Sequence, residues 1–376
     1  MTYINQALLQ EIEAALQPNK VVVLYGPRRV GKTTLLQHLL KQHPDCLYVE
    51  GEDVDVHYYL SSQSIEKLKS FIGSHTLLVI DEAQRIPNIG INLKLLIDQC
   101  PGLRIIATGS SAFDLTNNLG EPLTGRKITF RMFPLSQIEL NQIENKVKTR
   151  AHLSERLIYG CYPEIILMRD NFKKQRYLRE LITDYLYKDI LILEGLRKSD
   201  KISKILQLLA FQIGKDVSLS EIGQQVGLNK ITVEYYLDLL EKSFVLTNLR
   251  SFSRNLRKEI SKKSKFYFYD VGVRNAIINQ FSPITLRNDI GELWENYLVI
   301  ERLKKQAYHH IESNNYFWRT YDQQEIDWIE DKEGVLCGYE FKWQASHIKP
   351  PSGWLSNYEN ASFTVINQDN YLDFIT

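Results

Sequence analysis

The sequence predicts an α/β protein whose N-terminal part contains a parallel sheet covered by helices on both faces. Two observations predict this fold. Apolar, strand-like runs alternate with helical patterns as far as residue 133, an order that is typical of parallel sheets. One of these runs, at residues 21–25, leads through a glycine-containing turn directly into an apolar helical pattern.

The glycine-containing turn has the form G-x-x-x-x-G-K-T, which is the pattern of a phosphate-binding loop. Gly26 and Gly31 allow backbone N–H groups to turn towards a phosphate that a side chain would block. Lys32 would reach the β- and γ-phosphates of a nucleotide, and the Thr33 hydroxyl would ligate Mg²⁺. The predicted nucleotide-binding residues are Gly26, Pro27, Arg28, Arg29, Val30, Gly31, Lys32, Thr33 and Thr34.

Two later strand-like runs end in polar residues that suit phosphate chemistry. One ends in Asp81 and Glu82; Asp81 would hold Mg²⁺ through water, and Glu82 would act as the general base on the attacking water. The other ends near Thr108 and Ser110, which are the candidate sensors of the γ-phosphate. In additional-strand P-loop ATPases this sensor strand lies between the strand before the phosphate loop and the strand that ends in Asp81. We expect the same order here.

Arg126 follows the sensor strand on a turn flanked by glycine. An arginine at this point could reach a nucleotide in its own subunit or in a neighbouring subunit, as catalytic arginines do in other phosphoryl-transfer sites. The alternative is an ordinary surface arginine. A role in the neighbouring subunit implies self-association into an oligomer or ring.

The composition is that of a globular protein long enough for two or three domains, with 376 residues of which 44% are hydrophobic and 24% charged. Lys and Arg number 46 against 45 Asp and Glu, so any nucleic-acid surface must be local. The four cysteines form no C-x-x-C pair, which favours a reducing, cytoplasmic location over a disulfide framework or zinc site. No apolar run approaches the roughly 20 residues that span a bilayer, so we expect no membrane segment.

Four segments together resemble a known family. They are G-P-R-R-V-G-K-T-T at 26–34, I-D-E-A-Q at 80–84, T-G-S-S-A at 108–112 and L-T-G-R…P-L-S within 123–136. In these segments the chain is similar to the AAA-type ATPases of bacteria and archaea that carry a C-terminal domain of unknown function, DUF4143. The resemblance implies a P-loop NTPase domain of the additional-strand, AAA-like type over residues 1–145, with ATP and Mg²⁺ as its ligands.

Residues 146–200 are predicted to form a helical lid or connector, and residues 201–275 show three helices and a β-ribbon, the order of a winged helix. The loop between the ribbon strands carries the strongest local basic cluster, which suits contact with phosphates. A solvated hairpin and a winged helix that binds protein are the alternatives, and acidic residues on the third helix argue against deep insertion into a major groove. The candidate DNA-binding residues are Arg254, Arg257, Lys258, Lys262, Lys263 and Lys265.

Residues 276–376 show the order helix, three strands, helix and strand, which is the core order of the restriction-endonuclease-like fold, and they also resemble DUF4143. Asp327 followed by Glu340-x-Lys342 has the D…E-x-K form of that superfamily's nuclease sites. The two carboxylates would bind Mg²⁺ and Lys342 would orient water, while Glu295 could add a further carboxylate. The alternative is an inactive nuclease-like fold kept as a binding platform.

These predictions describe a cytoplasmic, Mg²⁺-dependent ATPase that acts on DNA as a motor, a remodeller or a gated nuclease. DNA, including branched or structured DNA, is the expected partner. The alternative is an ATP-driven signalling switch whose winged helix and inactive nuclease-like domain bind a protein. The rate of ATP hydrolysis with and without DNA of several structures discriminates between the two functions.

Overall fold

In the computed structural model the chain forms two compact units. The first comprises Met1–Pro134 with Lys242–Phe244, and the second comprises Leu135–Glu241 with Val245–Thr376. The structure describes residues 3–110, 123–183, 199–252, 264–320, 324–345 and 348–376. Among these residues, no helix is both long enough and apolar enough to cross a membrane.

The first unit is built around a sheet of parallel strands. The strands are β1 (Val21–Tyr25), β2 (Cys46–Glu50), β3 (Leu77–Asp81), β4 (Arg104–Gly109) and β5 (Lys127–Arg131). Their order across the sheet is β2-β3-β4-β1-β5, so β4 lies between β3 and β1. This order confirms the predicted α/β P-loop fold and the predicted place of the sensor strand.

Helices cover this sheet. The described helices of the first unit are α1 (Leu9–Ala15), α2 (Lys32–Leu40), α3 (Val54–Leu60), α4 (Ile65–Ile72) and α5 (Ile89–Gln99). Strand β3 is buried along its whole length, and its apolar side chains join those of α4 and α5 in one core. Because the strands are parallel, the polar residues at their carboxyl ends meet at a single edge of the sheet.

The described strands of the second unit form one mixed sheet. They are β6 (Asp216–Val217), β7 (Leu246–Ser251), β8 (Ser264–Phe268), β9 (Asn314–Arg319), β10 (Glu325–Lys332), β11 (Val335–Phe341) and β12 (Ala361–Ile366). Their order is β12-β11-β10-β9-β7-β8-β6, with β7 and β9 paired in parallel. Strands that the sequence analysis assigned to two domains, 201–275 and 276–376, therefore lie in one continuous sheet.

The helices of the second unit precede, separate and follow these strands. Those described are α6 (Gln137–Leu140), α7 (Lys146–Tyr159), α8 (Pro163–Leu167), α9 (Asn171–Leu181), α10 (Ser199–Phe211), α11 (Leu219–Val226), α12 (Lys230–Lys242), α13 (Val271–Ile277), α14 (Ile290–Tyr308), α15 (Ser352–Asn357) and α16 (Tyr371–Ile375). A buried ion pair ties α14 to the sheet, since Arg302 Nη2 donates to Glu330 Oε2 on β10 over 2.9 Å. Arg302 Nη1 also donates to the carbonyl oxygen of Phe374 over 2.7 Å.

Candidate functional site: the phosphate loop and a buried ionic cluster

The phosphate loop connects β1 to α2 and needs glycine at two positions. A Cβ atom on Gly26 would lie 2.3 Å from the backbone oxygen of Met132, which is too close for any side chain. Gly31 has a φ of +98°, in the region that L-residues rarely adopt, and it stands directly before α2. Close backbone packing at Gly26 and the positive φ at Gly31 thus require these glycines, in addition to the room that a phosphate needs.

Lys32 is held by the loop itself. Its Nζ donates to the carbonyl oxygens of Gly26 and Pro27, each over 2.9 Å, and the side chain is buried. Burial lowers the pKa of Lys32 to about 8, although the carboxylates of Glu82 and Asp81 act in the opposite direction. The lysine is therefore still mostly charged at neutral pH, and neutral carbonyls are its hydrogen-bond partners.

Asp81, the last residue of β3, is surrounded by hydroxyl groups. Its Oδ2 accepts hydrogen bonds from Thr33 Oγ1 over 2.6 Å and from Tyr48 OH over 3.2 Å, and its Oδ1 accepts one from Thr108 Oγ1. Oxygen ligands from a carboxylate and a hydroxyl are what Mg²⁺ prefers, so the donor set of Thr33 and Asp81 fits this ion. Tyr48 was not identified from the sequence, because β2 carries no motif.

Glu82 is joined to both candidate sensors by hydrogen bonds. Its backbone N–H donates to Thr108 Oγ1 over 3.0 Å. Its Oε2 accepts from Gln84 Nε2 over 2.6 Å, and the same nitrogen donates to Ser110 Oγ over 3.2 Å. Gln84 thus connects the candidate base to a candidate sensor, a role that the sequence analysis missed although the residue stands two positions from Glu82.

Arg126 lies at the opposite edge of the sheet from the phosphate loop. Its carbonyl oxygen accepts from the N–H of Val21, the first residue of β1, whereas the loop follows the last residue, Tyr25. Four residue steps of a strand span roughly 13 Å. Arg126 Nε donates instead to Asp98 Oδ1 over 3.1 Å. The prediction that Arg126 could reach a nucleotide in its own subunit is therefore wrong; Arg131, which pairs with Tyr25, is the β5 arginine at the loop edge.

In the second unit, the hairpin of β10 and β11 brings the D…E-x-K residues together. Its two turn residues, 333 and 334, both have positive φ, as a tight two-residue hairpin requires. Trp328 pairs with Tyr339, so Asp327 and Glu340 are the next residues along the two strands. Lys342 Nζ donates to Glu340 Oε1 over 2.7 Å, as expected for residues two apart on one face.

Lys265 lies at the centre of this group. The sequence analysis placed it on the basic loop, but it belongs to β8 and only 2% of its side chain is exposed. Its Nζ is 2.6 Å from Glu325 Oε1, 3.2 Å from Glu295 Oε1 and 3.8 Å from Asp327 Oδ1. Lys265 as a DNA-contacting residue is therefore wrong, because a buried ammonium group in an ion-pair network cannot meet a phosphate.

We call this group the Lys265 cluster; it comprises Lys265, Tyr267, Glu295, Glu325, Asp327, Glu340 and Lys342. Within the described residues, no set of three or more Asp, Glu, His or Cys side chains has the geometry to hold a metal ion. Glu325 and Tyr267 were not identified from the sequence. The signals that could have found them are alternation along the strands, since Glu325 stands two residues before Asp327 and Tyr267 two residues after Lys265.

Burial and mutual repulsion shape the acid–base properties of the cluster. Burial, reinforced by the charge of Asp327, raises the pKa of Glu295 to about 8 and that of Glu340 to about 7. Burial alone would lower the pKa of Lys265, but the surrounding carboxylates raise it above the ordinary lysine value. The ammonium group therefore stays charged, and Glu295 and Glu340 are the cluster residues whose pKa lies near neutral pH.

The other basic residues predicted for the loop lie outside the described residues, and their predicted role is neither supported nor opposed by the geometry. They are Arg254, Arg257, Lys258, Lys262 and Lys263.

Comparison with known families divides the chain into three segments. Residues 18–141 match the profile described as an AAA domain, and residues 290–370 match a domain of unknown function, DUF4143. Residues 150–283 match another domain of unknown function, DUF8612. With the sheet order and the phosphate loop, these matches define a P-loop ATPase domain of the AAA type.

More particularly, the chain combines an AAA-type domain with a C-terminal DUF4143 domain, as the sequence resemblance implied. It is 26% identical over 334 residues to an uncharacterized protein of Mycobacterium tuberculosis, covering 88% of this chain and 72% of that protein. It is 27% identical over 354 residues to an uncharacterized protein of Methanocaldococcus jannaschii, covering 88% and 77%. A Walker-type ATPase of Pyrococcus abyssi shares its fold, with a TM-score of 0.51 and 16% identity over 73% of this chain and 96% of the other.

Proposed function

We propose that this protein is a Mg²⁺-dependent ATPase. The observation that carries the proposal is the meeting of Lys32, Thr33, Asp81, Glu82 and Thr108 at one edge of the sheet. Lys32 and the loop N–H groups would bind the β- and γ-phosphates, and Thr33 and Asp81 would hold Mg²⁺, which offsets phosphate charge when bound. Glu82 would take a proton from the attacking water, positioned by its bonds to Thr108 and Gln84.

Two substitutions test this proposal. Lys32→Ala should abolish tight ATP binding, whereas Glu82→Gln should keep binding and slow hydrolysis by roughly 10²-fold or more, because only the general base is lost. Lys41→Ala and Glu52→Gln are matched controls, since both residues are exposed in the same unit. A wild-type rate of hydrolysis in Glu82→Gln would show that Glu82 is not the base.

We also propose that Arg126 completes a nucleotide site in a neighbouring subunit. The support is its exposure of 43% and its surface pairing with Asp98, a kind of contact that is worth little and is easily exchanged. Specific activity should then rise with protein concentration. Mixing Arg126→Ala with Lys32→Ala should restore activity, since each variant supplies what the other lacks; a mixture no more active than its components would refute the arrangement.

For the second unit we infer DNA binding through a winged helix. The order α10-β6-α11-α12-β7-β8, with β8 paired to both β6 and β7, supports this fold. Neutralising four basic residues of the loop should weaken binding to all DNA sequences alike and flatten its salt dependence. A control neutralises four exposed basic residues elsewhere in the unit. The test set is Arg257, Lys258, Lys262 and Lys263, and the control set is Lys146, Lys148, Arg150 and Arg169.

A protein partner is the second candidate, because of the surface of α12. Ile231 and Tyr235 are 78% and 37% exposed one helical turn apart, beside the exposed acidic residues Glu234 and Asp238. An apolar and acidic surface suits a protein better than a DNA groove. If DNA of any structure leaves the ATPase rate unchanged and the loop variant binds DNA as the control does, the protein candidate replaces the DNA candidate.

For the C-terminal part we infer a restriction-endonuclease-like fold that serves as a binding platform and does not cleave. The order α14-β9-β10-β11-α15-β12 supports the fold. Incubation with linear, circular and branched DNA in Mg²⁺ or Mn²⁺ tests the activity. Cleavage that Lys342→Ala removes would contradict the platform role.

A further inference from the structure

The Lys265 cluster has the residue types of a nuclease metal site but not its arrangement. In such a site, carboxylate oxygens surround a divalent ion, and a lysine stands beside it to act on water or phosphate. Here Lys342 occupies the expected lysine position beside Glu340, and a second lysine stands among the carboxylates. The donor set therefore does not fit Mg²⁺, because an ammonium group already takes up oxygens that the ion would need.

Two features show that Lys265 is built into this place. Tyr267, two residues along β8, donates through its hydroxyl to Glu295 Oε1 over 2.7 Å, and Lys265 Nζ bonds to the same oxygen. The Lys265 ammonium also lies 5.2 Å from the centre of the Phe317 ring, which favours a cation on its face. The side chain thus has three carboxylates and an aromatic ring as neighbours, and it is buried among them.

One acceptor atom in the cluster is left over. Glu340 Oε2 is buried and has no hydrogen-bond partner among the residues that the structure describes. The other oxygen of Glu340 accepts from Lys342. The cluster therefore has a carboxylate oxygen available to a cation that would replace the ammonium group.

We propose that Lys265 is the resident cation of this cluster, and that its ammonium group takes the place of a divalent metal ion. The carboxylates are neutralised from within the protein, so the domain needs no metal and excludes it. It follows that removing this single positive charge converts the cluster into a divalent-cation site. The proposal rests on the inferred nuclease-like platform but not on ATP hydrolysis.

The test measures Mn²⁺ binding to the 376-residue chain by electron paramagnetic resonance, in the absence of nucleotide. All variants carry Asp81→Asn, so that the phosphate-loop site contributes no ion. Lys265→Met should bind Mn²⁺ at least roughly tenfold more tightly than its parent, because buried carboxylates without a counter-ion are strongly unfavourable. Adding Asp327→Asn to Lys265→Met should remove the gain. Lys304→Met is the matched control, since Lys304 is equally buried and pairs with Glu301 outside the cluster.

Each outcome decides the proposal. A gain in Lys265→Met that Asp327→Asn abolishes supports it. Parent protein that binds Mn²⁺ in a manner dependent on Asp327 overturns it, and so does a folded Lys265→Met that binds no more Mn²⁺ than Lys304→Met. The ATPase rates of Lys265→Met and wild type, both with Asp81 intact, report on the proposed function separately.

A second variant keeps the test valid if Lys265→Met does not fold. Lys265→Met with Glu325→Gln removes one positive and one negative charge together, so it should fold and bind no Mn²⁺. Thermal unfolding with and without Mn²⁺ gives the readout: Mn²⁺ should restore the folding of Lys265→Met, or raise its unfolding temperature, and should leave the double variant unchanged. Failure of the double variant to fold would show that the role of Lys265 is packing and would overturn the proposal.

Discussion

The two sites of this protein use the same residue types in opposite arrangements. In the phosphate loop, Lys32 bonds to neutral backbone carbonyls, and the hydroxyls of Thr33, Tyr48 and Thr108 surround Asp81. In the Lys265 cluster, the lysine lies directly among carboxylates. Because Lys32 is not bonded to Asp81, the lysine can bind an anionic ligand and the carboxylate can bind a cation. In the Lys265 cluster the ammonium group and the carboxylates neutralise one another.

This difference assigns different roles to two buried lysines. Lys32 should contribute to ligand binding and little to stability, because its partners are neutral. Lys265 should contribute to stability and nothing to nucleotide binding, because the acids that pair with it belong to the second unit. The predictions below test this division, from the largest expected effect to the smallest.

The largest effect should be on the stability of Lys265→Met. Breaking a buried ion pair from one side leaves uncompensated charge and typically lowers the free energy of unfolding by about 3–5 kcal/mol. Lys32→Met should change it much less. Urea unfolding at pH 7 with a probe in each unit measures both; a stability loss in Lys32→Met as large as that in Lys265→Met would remove the distinction.

The ion pair between Arg302 on α14 and Glu330 on β10 provides a reference in which one buried carboxylate is paired with one arginine. Burial would raise the pKa of Glu330, but hydrogen bonds from Arg302 hold it at about 2, below the ordinary glutamate value of 4.5. Because the folded-state pKa is lowered, the pair stabilises the protein above pH 4.5 and loses this contribution as pH falls towards 2. The lowering of the Glu330 pKa corresponds to about 3 kcal/mol in the free energy of unfolding.

Glu330→Gln should therefore be less stable than wild type at pH 7. The gap between their free energies of unfolding should narrow as the pH falls from 4.5. Unfolding by urea at pH 7 and at pH 3 measures the gap. An equal gap at both pH values would show that charge is not what Glu330 contributes.

The rate of ATP hydrolysis should separate the two lysines next. Lys32→Met should lower the rate by roughly 10²-fold or more, because the lysine proposed to contact the transferred phosphate is lost. Lys265→Met, assayed under conditions where it is folded, should change the basal rate by less than about twofold, since the carboxylates that pair with Lys265 all belong to the second unit. A large loss of basal rate in folded Lys265→Met would contradict this independence.

A smaller effect should follow from Gln84→Ala. The side chain joins Glu82 to Ser110, and losing one such hydrogen bond is worth about 1 kcal/mol, or a roughly three- to tenfold lower kcat. ATP binding should not change, because the hydrogen bonds of Gln84 run to Glu82 and Ser110, the candidate base and sensor. Steady-state kcat and KM distinguish this from a binding defect, which would raise KM alone.

The phosphate loop was predictable because its parts are adjacent in sequence. Residues 26–34 carry the glycines, the lysine and the threonine in one stretch, and the apolar strands before Asp81 and Thr108 bring those two to the same edge. The contacts of Gln84 and Tyr48 could not be predicted, because they depend on the directions of the two side chains, and no local sequence pattern specifies these.

The Lys265 cluster was predictable only in part. Alternation along the strand correctly paired Glu340 with Lys342. Lys265 followed a run of basic residues and was assigned to their surface, although β8 carries it into the sheet among acids from β10 and α14. The prediction that Arg126 could reach a nucleotide in its own subunit was wrong for a similar reason. Its distance in sequence from the sensor strand does not show at which end of β5 it lies.

The number of Mn²⁺ ions bound by the wild-type chain with a non-hydrolysable ATP analogue tests the central claim most directly. We expect one ion per chain, held with the nucleotide, because Thr33 and Asp81 offer oxygen ligands for it, whereas the Lys265 cluster already contains its cation. Lys32→Ala should remove this ion, and Asp327→Asn should leave it in place. A second ion that Asp327→Asn removes would contradict the account.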